Sequence, residues 1–475
     1  MSLTLQQDAP AVPGRLTMAM LIVGLLTVLA AGLGAGVPST YGGQAAVDEP
    51  QYLLSALSLW EDHDLDISDE LAARRFLAFH DSDLPVQTAT RPDGSQLSPH
   101  DPLLPVILAV PMGLGGWLAA KLTLAVLAGI LAALLLWTAV RRFGVPLGLA
   151  GPGVALATCT SPLAVYGQQV YPELPGALAA LVALAALTAP RPAARTLTTF
   201  ALAVIAMPWL SVKYAPVGVA LVLVAAAGLL RAGRIRATVL LAGGLAAGGV
   251  VYLAVHKAIY GGITAYASGD AFQGSGEFGV IGFQPDYPGR TIRLLGLLVD
   301  RDFGIAAWQP AWFLLLPALA VLLHRRPPHW AALTVPLLAG YGTATWVALT
   351  MQGFWWPGRQ LVVVLPLAVL IILAWLTRAT RSVRVTAAGL GALGVVYYVV
   401  LLVTGYFGQT RWVLAPDDLR LHWPAALLLP DDRDLTAADQ VRYGIWIAVA
   451  AVTVLLALRT ARRAGRAPAA SRTSR

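Results

Sequence analysis

Apolar residues in this chain fall in long runs divided by shorter polar segments. Runs of about 17 to 25 apolar residues match helices that cross a hydrocarbon layer of about 30 Å, where every backbone polar group must be paired internally. The pattern predicts an all-α integral membrane protein with about twelve transmembrane helices. These are 16–36, 121–140, 145–164, 173–189, 196–210, 215–230, 237–258, 305–323, 330–350, 360–377, 385–405 and 442–459. The segment 103–120 is also apolar, but counting it as a span would invert the placement of Arg141 and Arg142. Pro102, Pro105 and Pro111, with Gly113, Gly115 and Gly116, would break a straight helix there, so it is read as short interfacial or re-entrant pieces. The first run follows the basic Arg15 as a signal peptide would. Positions 31–37 offer only a weak cleavage site, and the run is read as a helix. Pro208 and Pro216 bracket 209–214, which predicts a turn or kink between the fifth and sixth spans.

Charge sets the orientation. Of the residues, 57% are hydrophobic and only 12% charged, with a formal net charge of +8. The arginines do not cluster on one soluble face, so nucleic acid is not the expected partner. They border the apolar runs at Arg15, Arg141, Arg142, Arg191, Arg195, Arg231, Arg325, Arg326, Arg378 and the tail from Arg459, which is the positive-inside pattern. Of the 25 Asp and Glu, only Asp8 falls on the side assigned to the arginines. Both termini are therefore expected in the cytoplasm, with an N-terminal segment 1–15, a transmembrane domain 16–460 and a basic tail 461–475. Long extracytoplasmic loops are expected at 37–120, 259–304, 351–359 and 406–441. The inner loops are short, so binding and chemistry belong on the outer side of the cell membrane. Cys159 is the only cysteine, so no internal disulfide can form. No Walker loop or metal-binding cysteine pattern occurs, which argues against an ATP-driven pump.

Within the first outer loop, Asp48 and Glu49 lie about a dozen residues beyond the first span. A carboxylate desolvated at the membrane surface can take a proton from an acceptor hydroxyl. The competing reading is a solvated loop in which Asp48 caps a helix starting at Pro50. Lys213 sits in the proline-bracketed turn, either as a functional cation or as a lysine reaching the interface. Arg359 follows Trp355 and Trp356. It is either an anchor in an aromatic belt or a guanidinium gripping a phosphate in bidentate fashion beside rings that stack on a sugar. Glu173 and His100 are weaker candidates, as joint ligands of a divalent cation or as a helix-start acid and a loop histidine. The acidic stretches 61–70 and 431–439 are read as solvated faces or acceptor-binding loops, and the Gly-rich 261–282 as a mobile loop.

In order along the chain, these segments resemble the GT-C superfamily of membrane glycosyltransferases, which use polyprenyl-phosphate sugars. The resemblance rests on Asp48-Glu49-Pro50-Gln51-Tyr52 after the first span and Ser98-Pro99-His100-Asp101-Pro102-Leu103-Leu104-Pro105 ahead of the second. It continues through Tyr171-Pro172-Glu173-Leu174-Pro175, Asp300-Arg301-Asp302-Phe303-Gly304 and Trp355-Trp356-Pro357-Gly358-Arg359-Gln360. Each piece is short; their order and common location cover most of the chain. His100 is followed by Asp101 where the family more often has proline.

The resemblance implies inverting transfer of a sugar from a polyprenyl-phosphate donor to a protein, lipid or glycan acceptor. Asp48 would be the general base, Glu49 its helper, and Lys213 and Arg359 the phosphate ligands. His100, Asp101, Tyr171, Glu173, Trp355 and Trp356 would supply further substrate or metal contacts. Related enzymes use mannose, arabinose, glucose and amino sugars. The Ala- and Arg-rich, Lys-poor composition fits a high-GC bacterium with an actinobacterial envelope. A secondary transporter or flippase would also have about twelve spans, but the chain lacks related halves and mid-span charges. A non-catalytic assembly partner is the third reading.

Overall fold

A computed structural model describes residues 13–190, 193–269, 284–413, 427–433 and 435–466. Position 270 onward of the Gly-rich segment lies outside these residues, as do 414–426 of the last long loop, 1–12 and the tail from 467. Among the described residues there are helices and isolated bridges but no strands.

The helices are α1 (Pro13–Gly34), α2 (Glu49–Glu61), α3 (Ser68–Ala72), α4 (Leu103–Arg141), α5 (Leu147–Thr158), α6 (Glu173–Leu187), α7 (Ala194–Leu210) and α8 (Ala215–Arg231). There follow α9 (Ile235–Tyr260), α10 (Arg293–Val299), α11 (Leu315–Arg325), α12 (Trp330–Gly342), α13 (Leu365–Leu376), α14 (Arg381–Tyr406) and α15 (Ala437–Arg466). Segments of four residues and 3-10 turns join several of them. Seven helical segments are long and apolar enough to cross a membrane, and four more are apolar but of 10 to 17 residues. The chain is a multi-pass membrane protein. The stretches expected at 305–323 and 330–350 are interrupted: a 3-10 segment, Pro310–Leu314, precedes α11, and a π-turn, Thr343–Val347, follows α12.

One expectation is corrected. Residues 103–120 are not short surface pieces but the first part of α4, which runs on to Arg141. Pro105 lies in its first turn, where an amide N–H has no intrahelical partner to lose, and Pro111 is carried inside the helix. The one non-helical residue is Gly116, with φ 65° and ψ −161°, a conformation open to glycine. At about 1.5 Å per residue, the part before this kink is about 20 Å long and the part after it about 38 Å. Only the second matches a tilted crossing.

Small residues let the helices close on one another. A side chain at Gly129 of α4 would lie 2.8 Å from the Gly24 carbonyl of α1, so the two backbones touch. Such contacts replace the hydrophobic driving force that lipid does not supply. Helix α13 is buried along most of its length and forms the centre of the bundle. Helix α2 packs on the first part of α4, and α6 packs between α4, α7 and the 3-10 segment Arg359–Val364. Those four contacts bring the candidate residues to one end of the bundle.

Candidate active site

Helix α2 starts at Glu49, and Pro50 stands in its first turn. Asp48, the residue before it, makes no side-chain capping bond, so the helix-cap reading does not describe this chain. Its carboxylate turns inward instead, with Oδ2 2.8 Å from Nη2 of Arg359. The preceding Val47 has φ 58°, which a β-branched residue adopts only under strain. Gln87 holds that turn by donating from Nε2 to the Val47 carbonyl at 3.0 Å and lies 3.5 Å from Asp48 Oδ1.

Arg359 begins the 3-10 segment Arg359–Val364, after Gly358 at φ 85°. A Cβ at Gly358 would meet Ile305 at 2.7 Å, so only glycine gives both the turn and the room. The guanidinium then reaches two carboxylates, with Nη2 on Asp48 and Nε 2.8 Å from Glu173 Oε1. The same Glu173 oxygen accepts from Lys213 Nζ at 2.6 Å. Asp48, Arg359, Glu173 and Lys213 therefore form one alternating chain of charges, with Glu173 fully buried and Lys213 the most exposed member. Burial by itself raises the Asp48 carboxyl. The Arg359 guanidinium, with help from His100, outweighs it and holds Asp48 well below the usual carboxylate range.

Aromatic rings close the site. The Arg359 guanidinium stands 4.1 Å from the centre of the Tyr171 ring and 5.3 Å from that of Trp355. His100 Nε2 lies 3.9 Å from Asp48 Oδ2, and its ring packs against Tyr52 at 4.5 Å. Glu173 Oε2 and the Tyr214 hydroxyl are buried without a hydrogen-bond partner. Buried polar atoms are rarely left so, and a polar ligand entering beside Lys213 would find them waiting.

Other expected members stand apart from this chain. Both oxygens of Glu49 accept backbone amides, Oε1 from Val170 at 2.8 Å and Oε2 from Ala46 at 3.0 Å. Glu49 thus braces the loop that presents Asp48. Asp101 accepts from Tyr252 and His256 at 3.0 Å each and from the Val212 amide at 3.0 Å, tying the start of α4 to α9 and to the residue next to Lys213. Trp356 is fully buried, donates to Ser161 Oγ at 2.6 Å and packs against Trp308 and Trp412. It belongs to the core, whereas Trp355 faces Arg359. His100 and Glu173 are joined by no third metal ligand. Among the described residues the gathering of three such groups is Asp62, Asp69 and Glu70.

Gln87, Tyr252 and His256 escaped the reading of the sequence, and Tyr52 entered it only as part of a motif. Tyr252, His256 and Tyr260 recur every fourth residue in an apolar helix, a polar stripe visible in the sequence. Gln87 gives no such signal.

No family model and no curated protein matches the sequence. A solved structure does: ArnT from Cupriavidus metallidurans, crystallised bound to undecaprenyl phosphate, gives a TM-score of 0.50 at 15% identity, over 94% of this chain and 73% of that one. The fold is similar to that of ArnT. At this identity the likeness concerns the fold, and it takes in nearly the whole chain.

Proposed function

We propose that this protein transfers a sugar from a polyprenyl-phosphate donor to an acceptor hydroxyl or amide on the extracytoplasmic side of the cell membrane. The observation that carries the reading is the buried chain Asp48–Arg359–Glu173–Lys213. It joins one candidate base to two cations at the end of a bundle of apolar helices. The ArnT-like fold, seen with undecaprenyl phosphate in that protein, supports a lipid phosphate as the leaving group.

The donor lies with its prenyl chain in the bilayer and its phosphate against Arg359 and Lys213. The acceptor oxygen or nitrogen attacks the anomeric carbon from the face opposite the phosphate, and Asp48 takes the proton that the acceptor loses. The bond from the anomeric carbon to the phosphate oxygen breaks, and its electron pair leaves with the polyprenyl phosphate. The configuration inverts, and no covalent enzyme intermediate is needed. Charge gathering on the leaving phosphate is met by fixed cations in a site largely closed to water, where they act most strongly. Glu173 holds both cations in place, and Asp101 and Glu49 position the segments that carry Lys213 and Asp48.

The test uses the full chain in detergent or vesicles. Native mass spectrometry should find undecaprenyl phosphate on the protein and lose it in Lys213→Ala/Arg359→Ala. Asp48→Asn should keep the lipid and lose about 10²- to 10⁴-fold in transfer from a polyprenyl-phosphate sugar, the range of a general base. Absence of lipid binding by the unaltered chain, or undiminished transfer by Asp48→Asn, overturns the proposal in favour of a transporter or a non-catalytic partner.

A further inference from the structure

We propose that Asp62, Asp69 and Glu70 hold a calcium ion where α2 ends and α3 begins. Glu70 is the informative member. Its side chain is 2% exposed, and neither carboxylate oxygen has a hydrogen-bond partner. It faces two further carboxylates: the ligand atoms of Asp62, Asp69 and Glu70 all lie within 4.8 Å of one another. Three carboxylates this close repel unless a cation joins them, and Asp62, which caps the C-terminal end of α2, also meets the negative end of that helix's dipole. The nearby Arg75 guanidinium acts on Glu70 and Asp62 only from a distance, because its two bonds of 2.8 Å go to Glu61.

The intervening loop has the form of a fixed cradle. His63 takes φ 64°. Asp64 accepts from Ser58 Oγ at 2.8 Å and from the Asp66 amide at 2.9 Å. Asp66 accepts from the amides of Ser68 and Gln96 at 3.0 and 2.8 Å. Asp64 and Asp66 thus shape the loop, and the remaining three acids point to a common place. An all-carboxylate set without histidine or cysteine selects a hard cation. Calcium accepts irregular sets of six to eight oxygens at about 2.4 Å. Magnesium demands near-octahedral order at about 2.1 Å and gives up its waters reluctantly, so three side-chain carboxylates on an irregular loop favour calcium. Water and loop carbonyls would complete the calcium shell.

The site is separate from the charge chain yet mechanically joined to it, because α2 starts beside Asp48 and ends at Asp62. Binding is tested by calorimetry on the full chain in detergent, stripped with a chelator and titrated with calcium chloride or magnesium chloride. The expected result is one calcium per chain, at least tenfold tighter than magnesium, and a higher unfolding midpoint with calcium. Glu70→Gln and Asp62→Asn should each weaken calcium at least tenfold, while Asp93→Asn, an acid further along the same 37–120 segment and bonded to Ser95, should not. Because Asp62 is exposed, Asp62→Asn keeps the test open even where Glu70→Gln does not fold. Absence of saturable calcium binding, equal affinity in Asp62→Asn, or a preference for magnesium would overturn the proposal.

Discussion

At the scale of single residues, the acids of this chain differ by what faces them. Asp48 faces a guanidinium and stays ionised. Glu70 faces Asp62 and Asp69, with only the Arg75–Glu61 pair nearby, and burial followed by its contact with Asp69 pushes its carboxyl from about 4.5 up to about 8 when no cation is bound. The sign of the linkage follows. Between those values the unfolded chain has lost the proton that the folded chain keeps, so calcium-free stability falls as pH rises through this window and is level above it. Calcium requires the carboxylate, so its affinity should rise across the same window and level off near pH 8. Unfolding midpoints in chelator, measured from pH 5 to pH 9 (the span of about four pH units that contains the window), should decline for the unaltered chain and stay flat for Glu70→Gln. A flat profile in both would show that Glu70 does not hold that proton.

At the scale of elements, the turn that delivers Arg359 is the most demanding. Gly358→Ala puts a Cβ on a left-handed backbone and against Ile305. It should cost about 1 to 3 kcal/mol in unfolding free energy and reduce lipid-phosphate binding with it. Denaturant unfolding and native mass spectrometry of the variant check both, and an unchanged midpoint would show that the turn relaxes freely. The Trp-Pro-Gly-Arg sequence showed that a turn and a cation belonged there, as Pro208 and Pro216 showed the break around Lys213. What the sequence could not show was what each side chain would meet. Glu49 is spent on Val170, Asp101 on Tyr252 and His256, and Trp356 on a tryptophan cluster, all partners 48 or more residues away along the chain. Helix α4 misled for a local reason. Its prolines and glycines read as breakers, yet one proline sits in the first turn and another is tolerated inside, leaving a single break at Gly116.

At the scale of the whole molecule, the sequence made the helical membrane fold legible because apolar run length is a physical requirement of the bilayer. The number of crossings was less so, since four apolar helices are too short to span alone and packing, not composition, decides their depth. Orientation is a proposal from charge, and Cys159 as the sole cysteine makes it easy to examine. In a Cys159→Ser background, an impermeant maleimide should label Asp93→Cys in intact cells and Ala232→Cys only after permeabilisation. The reverse pattern would turn the protein over and put the site inside. Arg359 carries a last implication under the proposed reading. While it grips Asp48, that carboxylate is a feeble base, and a water molecule reaching the site gains little from it. A lipid phosphate shares the same guanidinium where Glu173 holds it, and only as it takes up part of that positive charge does Asp48 recover its appetite for a proton. The donor thus arms its own reaction, and an acceptor arriving first finds the enzyme with its safety on.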